Sequence, residues 1–198
     1  MIEFLEGSLV EKHPTRVVIN CSGVGYEIFI PLTTHAAIPS VGDRVRLLTV
    51  LHVRDDARLL YGFADPQDRA MFRLFIGVAG VGPKIALAAL SRLSASELAA
   101  ALSRGDVAAC RSIPGVGAKL ANRIMTELRD AVLSGQNTAI AGVAGVDEPD
   151  IIRDAELALA ALGYKPDDAR RAVSDAVRRN PALRSQIELL IRAAIDGA

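Results

Sequence analysis

The chain has 198 residues, 51% of them hydrophobic, enough to core one large domain or two to three small ones. Lys+Arg and Asp+Glu number 23 each, so the formal net charge is zero, whereas a phosphate-binding surface normally leaves a basic footprint. No uncharged apolar run reaches membrane-span length, and the start Met1-Ile2-Glu3-Phe4-Leu5-Glu6 is acidic where a secretion signal is basic, so a folded cytoplasmic protein with no membrane partner is expected.

Residues 1–63 alternate at short range and are rich in Val, Ile, Phe and Tyr, as in Arg16-Val17-Val18-Ile19-Asn20 and Gly25-Tyr26-Glu27-Ile28-Phe29-Ile30. Turn residues such as Gly23, Pro31, Pro39 and Gly42 separate five or so short strands, which predicts a small β-barrel. An oligonucleotide-binding (OB) barrel and an SH3-like barrel both fit this pattern. Within it, Asp55-Asp56 separates two strand-like stretches and is flanked by Arg54 and Arg58. Adjacent aspartates between strands usually mark a solvated turn. Cations on either side of an acidic tip would instead attract a nucleic-acid backbone nearby and keep it off the tip.

Residues 64–134 carry nine Lys+Arg against six Asp+Glu, a net of +3, whereas residues 1–63 carry −1 and 135–198 carry −2. This basic segment contains one heptapeptide pattern twice, Gly80-Val81-Gly82-Pro83-Lys84-Ile85-Ala86 and Gly115-Val116-Gly117-Ala118-Lys119-Leu120-Ala121, at a constant offset of 35 residues. Two glycines around one apolar residue permit a tight turn and leave backbone amides unshielded. Helical patterns run before each turn, Asp68 to Gly77 and Asp106 to Ile113, and amphipathic residues follow each one; Ser94 and Ser96 ahead of Glu97 add a helix start. Each turn therefore presents free N–H groups and the positive end of a helix dipole at one place, with a lysine alongside. The competing reading, helical hairpins that use glycine only for close packing, explains one such turn better than two with Lys84 and Lys119 in register.

Residues 135–149, small, Gly-rich and aperiodic, predict a flexible linker. Residues 150–198 predict three short helices broken near Gly163–Pro166 and at Asn180-Pro181, with core faces from Leu159, Leu162, Ala172, Val173, Val177, Leu183, Ile187, Leu190 and Ile191. A fragment this small on a tether suits a docking module. Cys21 and Cys110 lack partner spacing and read as buried reduced thiols, and His13, His35 and His52 lack ligand spacing, so no metal is expected. No Gly-x-x-x-x-Gly-Lys-Ser/Thr loop is present to wrap a triphosphate.

Helix, Gly-x-Gly turn, helix resembles the helix-hairpin-helix module, which holds DNA by its phosphates without reading bases. With a barrel ahead and a tethered helical module behind, and with Leu59-Leu60-Tyr61-Gly62-Phe63 and Leu162-Gly163-Tyr164 in place, the whole chain resembles the RuvA family, Holliday-junction-binding subunits of the bacterial branch-migration machine. The resemblance implies an α+β multidomain protein: an OB-type barrel (1–63), an all-α tandem helix-hairpin-helix domain (64–134), a linker and a C-terminal three-helix module (150–198). It implies phosphate binding at Gly80, Val81, Gly82, Lys84, Gly115, Val116, Gly117 and Lys119, with Arg123 as a further contact, and an acidic pin at Asp55 and Asp56. It also implies a flat homotetramer, single or stacked in pairs, on four-way junction DNA. RuvB, an ATP-driven motor, would dock on residues 150–198, and RuvC resolvase is a further partner. No cofactor and no catalytic residue are implied for the chain itself, since the motor consumes the ATP.

Two other classes remain. A helix-hairpin-helix glycosylase or lyase would use Lys119 as a Schiff-base amine, but it needs a carboxylate downstream of the hairpin, and none lies between Asp130 and Asp147. A passive DNA-repair scaffold differs from the RuvA reading in junction selectivity and motor stimulation.

Overall fold

The computed structural model describes residues 2–55, 57–133 and 151–196, and the chain divides into two compact units, Met1–Ala144 and Gly145–Ala198. The expected linker, 135–149, lies outside the described residues.

In the first unit, β1 (Phe4–His13), β2 (Arg16–Cys21), β3 (Val24–Phe29), β4 (Arg44–Val53) and β5 (Arg58–Phe63) close a barrel in the order β1-β2-β3-β5-β4. β1 pairs antiparallel with both β2 and β4, β3 meets β5 in parallel at Phe29 and Tyr61, and helix α1 (Leu32–Ala37) links β3 to β4. This is the OB arrangement, which decides between the two barrels that the strand pattern left open. Alternation turns Leu9, Val17, Ile19, Ile28, Val45 and Leu47 inward. Two strand glycines mark close approaches: a Cβ on Gly7 would stand 2.1 Å from the Asn20 carbonyl oxygen, and one on Gly62 2.6 Å from Ile28 Cγ2.

Five helices follow: α2 (Pro66–Gly77), α3 (Pro83–Arg92), α4 (Ala95–Arg104), α5 (Val107–Arg111) and α6 (Ala118–Leu133). α4 starts on the anticipated chemistry, a capping box in which the Ser94 hydroxyl accepts from the Glu97 amide and the Glu97 carboxylate accepts from the Ser94 amide. Donation from the Ser94 amide, and then from its hydroxyl, holds the Glu97 carboxyl below the usual carboxylate range. The barrel and the helices share a core. Tyr61 and Phe63 of β5 place their rings 5.1 and 5.0 Å from Phe72 of α2, among Met71, Phe75, Leu90, Leu98 and Ile124.

Polar bonds lock the same junction. The Leu32 amide donates to Ser91 Oγ at 3.0 Å, and buried Asp68 accepts from Thr33 Oγ1 (3.0 Å) and from the Ala95 amide (3.1 Å). One carboxylate thus ties the barrel's α1 to the starts of α2 and α4.

The second unit contains α7 (Ile151–Ala161), α8 (Pro166–Arg179), a 3₁₀ turn (Pro181–Ser185) and α9 (Ile187–Ile195), around Ala155, Leu159, Ala169, Val173, Ala176 and Leu190. Two expected core residues are corrected: Leu162 is 64% exposed and Ile187 36%. Leu162 lies past the end of α7, where Gly163 (φ +99°) forms a Schellman turn, Gly163 N–H to Ala160 O and Tyr164 N–H to Leu159 O, so Tyr164 packs on the core in its place. Ile187 is the first residue of α9, before that helix reaches the core. Of the two thiols, Cys110 is buried but Cys21 is only half-buried, which corrects the second expectation.

Burial pushes the Asp68 carboxyl upward against the pull of its two hydrogen bonds. Its folded-state value lies above the unfolded one, so its contribution to stability is largest at acid pH and declines as pH rises through the folded-state value. Asp68→Asn keeps an acceptor without the charge and should equal or exceed the parent in urea unfolding at pH 7, with an advantage that shrinks toward pH 4. Asp68→Ala strands the Thr33 hydroxyl and the Ala95 amide and should cost about 1–3 kcal/mol.

Candidate nucleic-acid interface

The two Gly-x-Gly turns join α2 to α3 and α5 to α6, and they share two equivalent backbone bonds. Val81 N–H donates to Val78 O at 2.9 Å and Val116 N–H to Ile113 O at 3.1 Å; Ala86 N–H reaches Gly82 O at 3.1 Å and Ala121 N–H reaches Gly117 O at 2.9 Å. The two valines are buried plugs, so their expected role at the DNA surface falls to the backbone around them. Among the described residues no protein acceptor pairs with the amides of Gly82 and Lys84, or with those of Gly117 and Lys119. These are orphan donors of helix first turns.

The glycines of each turn do different work. Gly80 (φ +92°) and Gly115 (φ +85°) occupy the left-handed region, which an L side chain adopts only under strain. Gly82 has φ −91°, Gly117 is not in the positive-φ region, and a Cβ on either would meet nothing within 4 Å. Nothing inside the protein requires glycine at these second positions, and bare backbone there leaves room for something outside it.

The turns also bed on each other. Beside Gly80, a Cβ would lie 3.5 Å from Leu120 Cδ1; beside Gly115, 3.7 Å from Ile85 Cγ1. Leu120 and Ile85 are themselves equivalent in the 35-residue repeat, so each hairpin packs the sixth residue of its heptapeptide on the other's first glycine. Lys84 and Lys119 are exposed, and no ion pair among the described residues engages either. Arg123, expected as a further phosphate contact, donates from Nη1 to the Ala79 carbonyl at 2.9 Å, and its Nε stands 3.9 Å from Glu127 Oε1. Sequence reasoning missed Arg92, whose Nε donates to Ser112 Oγ at 2.9 Å just before the second turn.

At the β4–β5 hairpin, Arg54 N–H to Ala57 O (2.8 Å) and Ala57 N–H to Arg54 O (3.4 Å) close a four-residue turn that exposes Asp55; Asp56 lies outside the described residues. Arg54 donates from Nε to His52 Nε2 at 3.2 Å, and Arg58 is exposed at the start of β5. Among the described residues no group of His, Cys, Asp and Glu is placed to hold a metal, and no single helix is long and apolar enough to cross a membrane.

Family profiles match in the same order as the fold: the RuvA N terminal domain over residues 1–62, a SAM-like helix-hairpin-helix tandem over 72–130, and the RuvA C-terminal domain over 150–197. Similar proteins include the Holliday junction branch migration complex subunit RuvA of Thioalkalivibrio sulfidiphilus, 42% identical over 200 residues (98% of this chain, 100% of the relative). The protein of the same name from Pseudomonas syringae pv. syringae is 43% identical over 204 residues (100% of this chain, 99% of the relative). A barrel, a doubled phosphate-type hairpin and a small helical module, each matched in turn and all carried on one chain at this identity, make the protein a member of the RuvA family.

Proposed function

We propose that this chain binds four-way DNA junctions by shape and charge, and serves as the non-catalytic subunit of a branch-migration complex whose ATP is used by a separate motor. The observation that carries the reading is the doubled hairpin: two turns in a 35-residue register, each with unpartnered first-turn amides, an unpaired lysine and a second glycine that the fold does not need. Amides and lysines at helix N-termini suit phosphate oxygens and cannot tell one base from another. Binding of this kind is independent of sequence and lets a duplex slide.

Four chains in a square would bring eight such turns to the four arms, and Asp55 with Asp56 would stand at the crossover, repelling phosphate and disfavouring a continuous duplex there. The division of labour follows the sequence expectation: 1–63 for the barrel and pin, 64–134 for DNA, 135–149 as a tether and 150–198 for RuvB. RuvC resolvase would act on the exposed face of the same junction. A lyase working through Lys119 is not favoured, because the family match points to junction binding.

The second glycines give the most direct test. Gly82→Ala and Gly117→Ala should change stability by about 1 kcal/mol or less while weakening binding to both duplex and junction in gel-shift titration. Gly80→Ala and Gly115→Ala should each cost about 1–2 kcal/mol of folding stability.

Charge reversal at Lys84 and Lys119 should abolish tight junction binding at moderate ionic strength with the circular dichroism spectrum unchanged. For the parent, about eight neutralised phosphates give a slope of log K against log salt near −7; a slope near −2 contradicts eight-site binding. Replacing Asp55 and Asp56 together by Asn should hold or raise affinity for linear duplex and erode the preference for four-way junctions. Unchanged selectivity in a competition assay would remove the pin from the mechanism.

A further inference from the structure

Arg92 and Arg123 stand in mirrored positions. Arg123, in α6 behind the second turn, reaches the first turn at Ala79 O (2.9 Å), the carbonyl immediately before Gly80. Arg92, in the last turn of α3 behind the first hairpin, reaches the lead-in to the second at Ser112 Oγ (2.9 Å). Ser112 passes the restraint on, since its hydroxyl donates to Ala109 O at 2.7 Å within the end of α5. Glu127, one turn along α6, places Oε1 3.9 Å from Arg123 Nε.

The two contacts are not copies made by the repeat. By the 35-residue offset the counterpart of Arg123 is Ala88 and that of Arg92 is Glu127, so the braces arise at different repeat positions and converge on one arrangement. Between them Leu120 lies against Gly80 and Ile85 against Gly115, both apolar contacts. Apolar contact is non-directional and tolerates sliding, whereas a guanidinium bonded to a fixed acceptor does not.

We propose that Arg92 and Arg123 are positioning residues that cross-brace the two hairpins and fix the separation of the two phosphate sites. The proposal rests on the phosphate reading of the hairpins but predicts a different signature. A rigid separation lets both sites engage one duplex arm without further ordering, so loosening it weakens binding although no contact to DNA is lost.

The test uses the full-length chain with Arg123→Met and Arg92→Met, each exposed enough to be replaced without opening the core. Hydrogen exchange of the free protein should speed by about fivefold at the bonded amide of the turn each arginine braces, Val81 for Arg123 and Val116 for Arg92. Junction affinity should fall several-fold, and the salt slope should stay at the parent value. A slope that drops by roughly 0.9 for each chain engaged, with exchange unchanged, would make Arg123 a phosphate ligand and overturn the brace. Parent-like exchange and affinity in both variants would overturn it equally. The phosphate reading fails separately, if charge-reversed Lys84 and Lys119 leave affinity intact.

Discussion

The first glycine of each hairpin is the position on which the rest of the DNA-facing half depends, because it lets two helix N-termini point outward while their turns rest on each other. At Gly80 and Gly115 a positive φ reverses the chain in too few residues for any other side chain to follow without strain. The bare Cα then lets Leu120 and Ile85 approach from the opposite hairpin. A Cβ at either position would strain the turn, separate the pair and move the amides of Gly82, Lys84, Gly117 and Lys119. Local backbone conformation and global site geometry are here one constraint.

That constraint explains why the hairpins could be read from the sequence. A left-handed turn followed by a helix start is specified by residues adjacent in the chain, as is the Ser94–Glu97 capping box that opens α4. The barrel was legible as strands but not as a topology: what separates OB from SH3-like is β1 pairing with β4 and β3 meeting β5, contacts between distant residues. Asp68 escaped for a related reason. An aspartate in a helix first turn reads as ordinary capping, and only the folded chain brings Thr33 and the Ala95 amide to it. Arg123 was readable as a cation near the site, but its partner is a backbone carbonyl 44 residues away, which side-chain pattern does not encode. In the C-terminal module the apolar pattern placed most of the core correctly and failed at Leu162 and Ile187, both at helix ends, where a residue's direction is set by the turn and not by the helical period.

The shared core of barrel and helices has a mechanical consequence. Tyr61 and Phe63 leave the barrel wall to pack on Phe72, and Asp68 bonds α1 to α2 and α4, so the β4–β5 hairpin that carries Asp55 and the helices that carry the lysines are parts of one body. A pin can bias the shape of a crossover only if it is held rigidly with respect to the sites that grip the arms. On the function proposed above, the acidic tip and the basic turns would act as one charge pattern, repelling phosphate at one place and attracting it at two others.

Zero net charge is consistent with this division. A uniformly basic protein would hold any duplex tightly, at a cost to both selectivity and movement. Here the excess in residues 64–134 is only +3, and the proposed function concentrates the attraction at Lys84 and Lys119, each beside helix amides that carry no net charge. A turn of this kind would bind weakly alone, and successive phosphates along a duplex would offer it equivalent partners, so moving by one base pair would exchange one set of bonds for another like it. Affinity for a junction then comes from several turns engaged at once at fixed spacing. A static junction would be held firmly by that multiplicity, while the small energy of each contact would keep the barrier to stepping low, as a subunit through which DNA must be drawn requires.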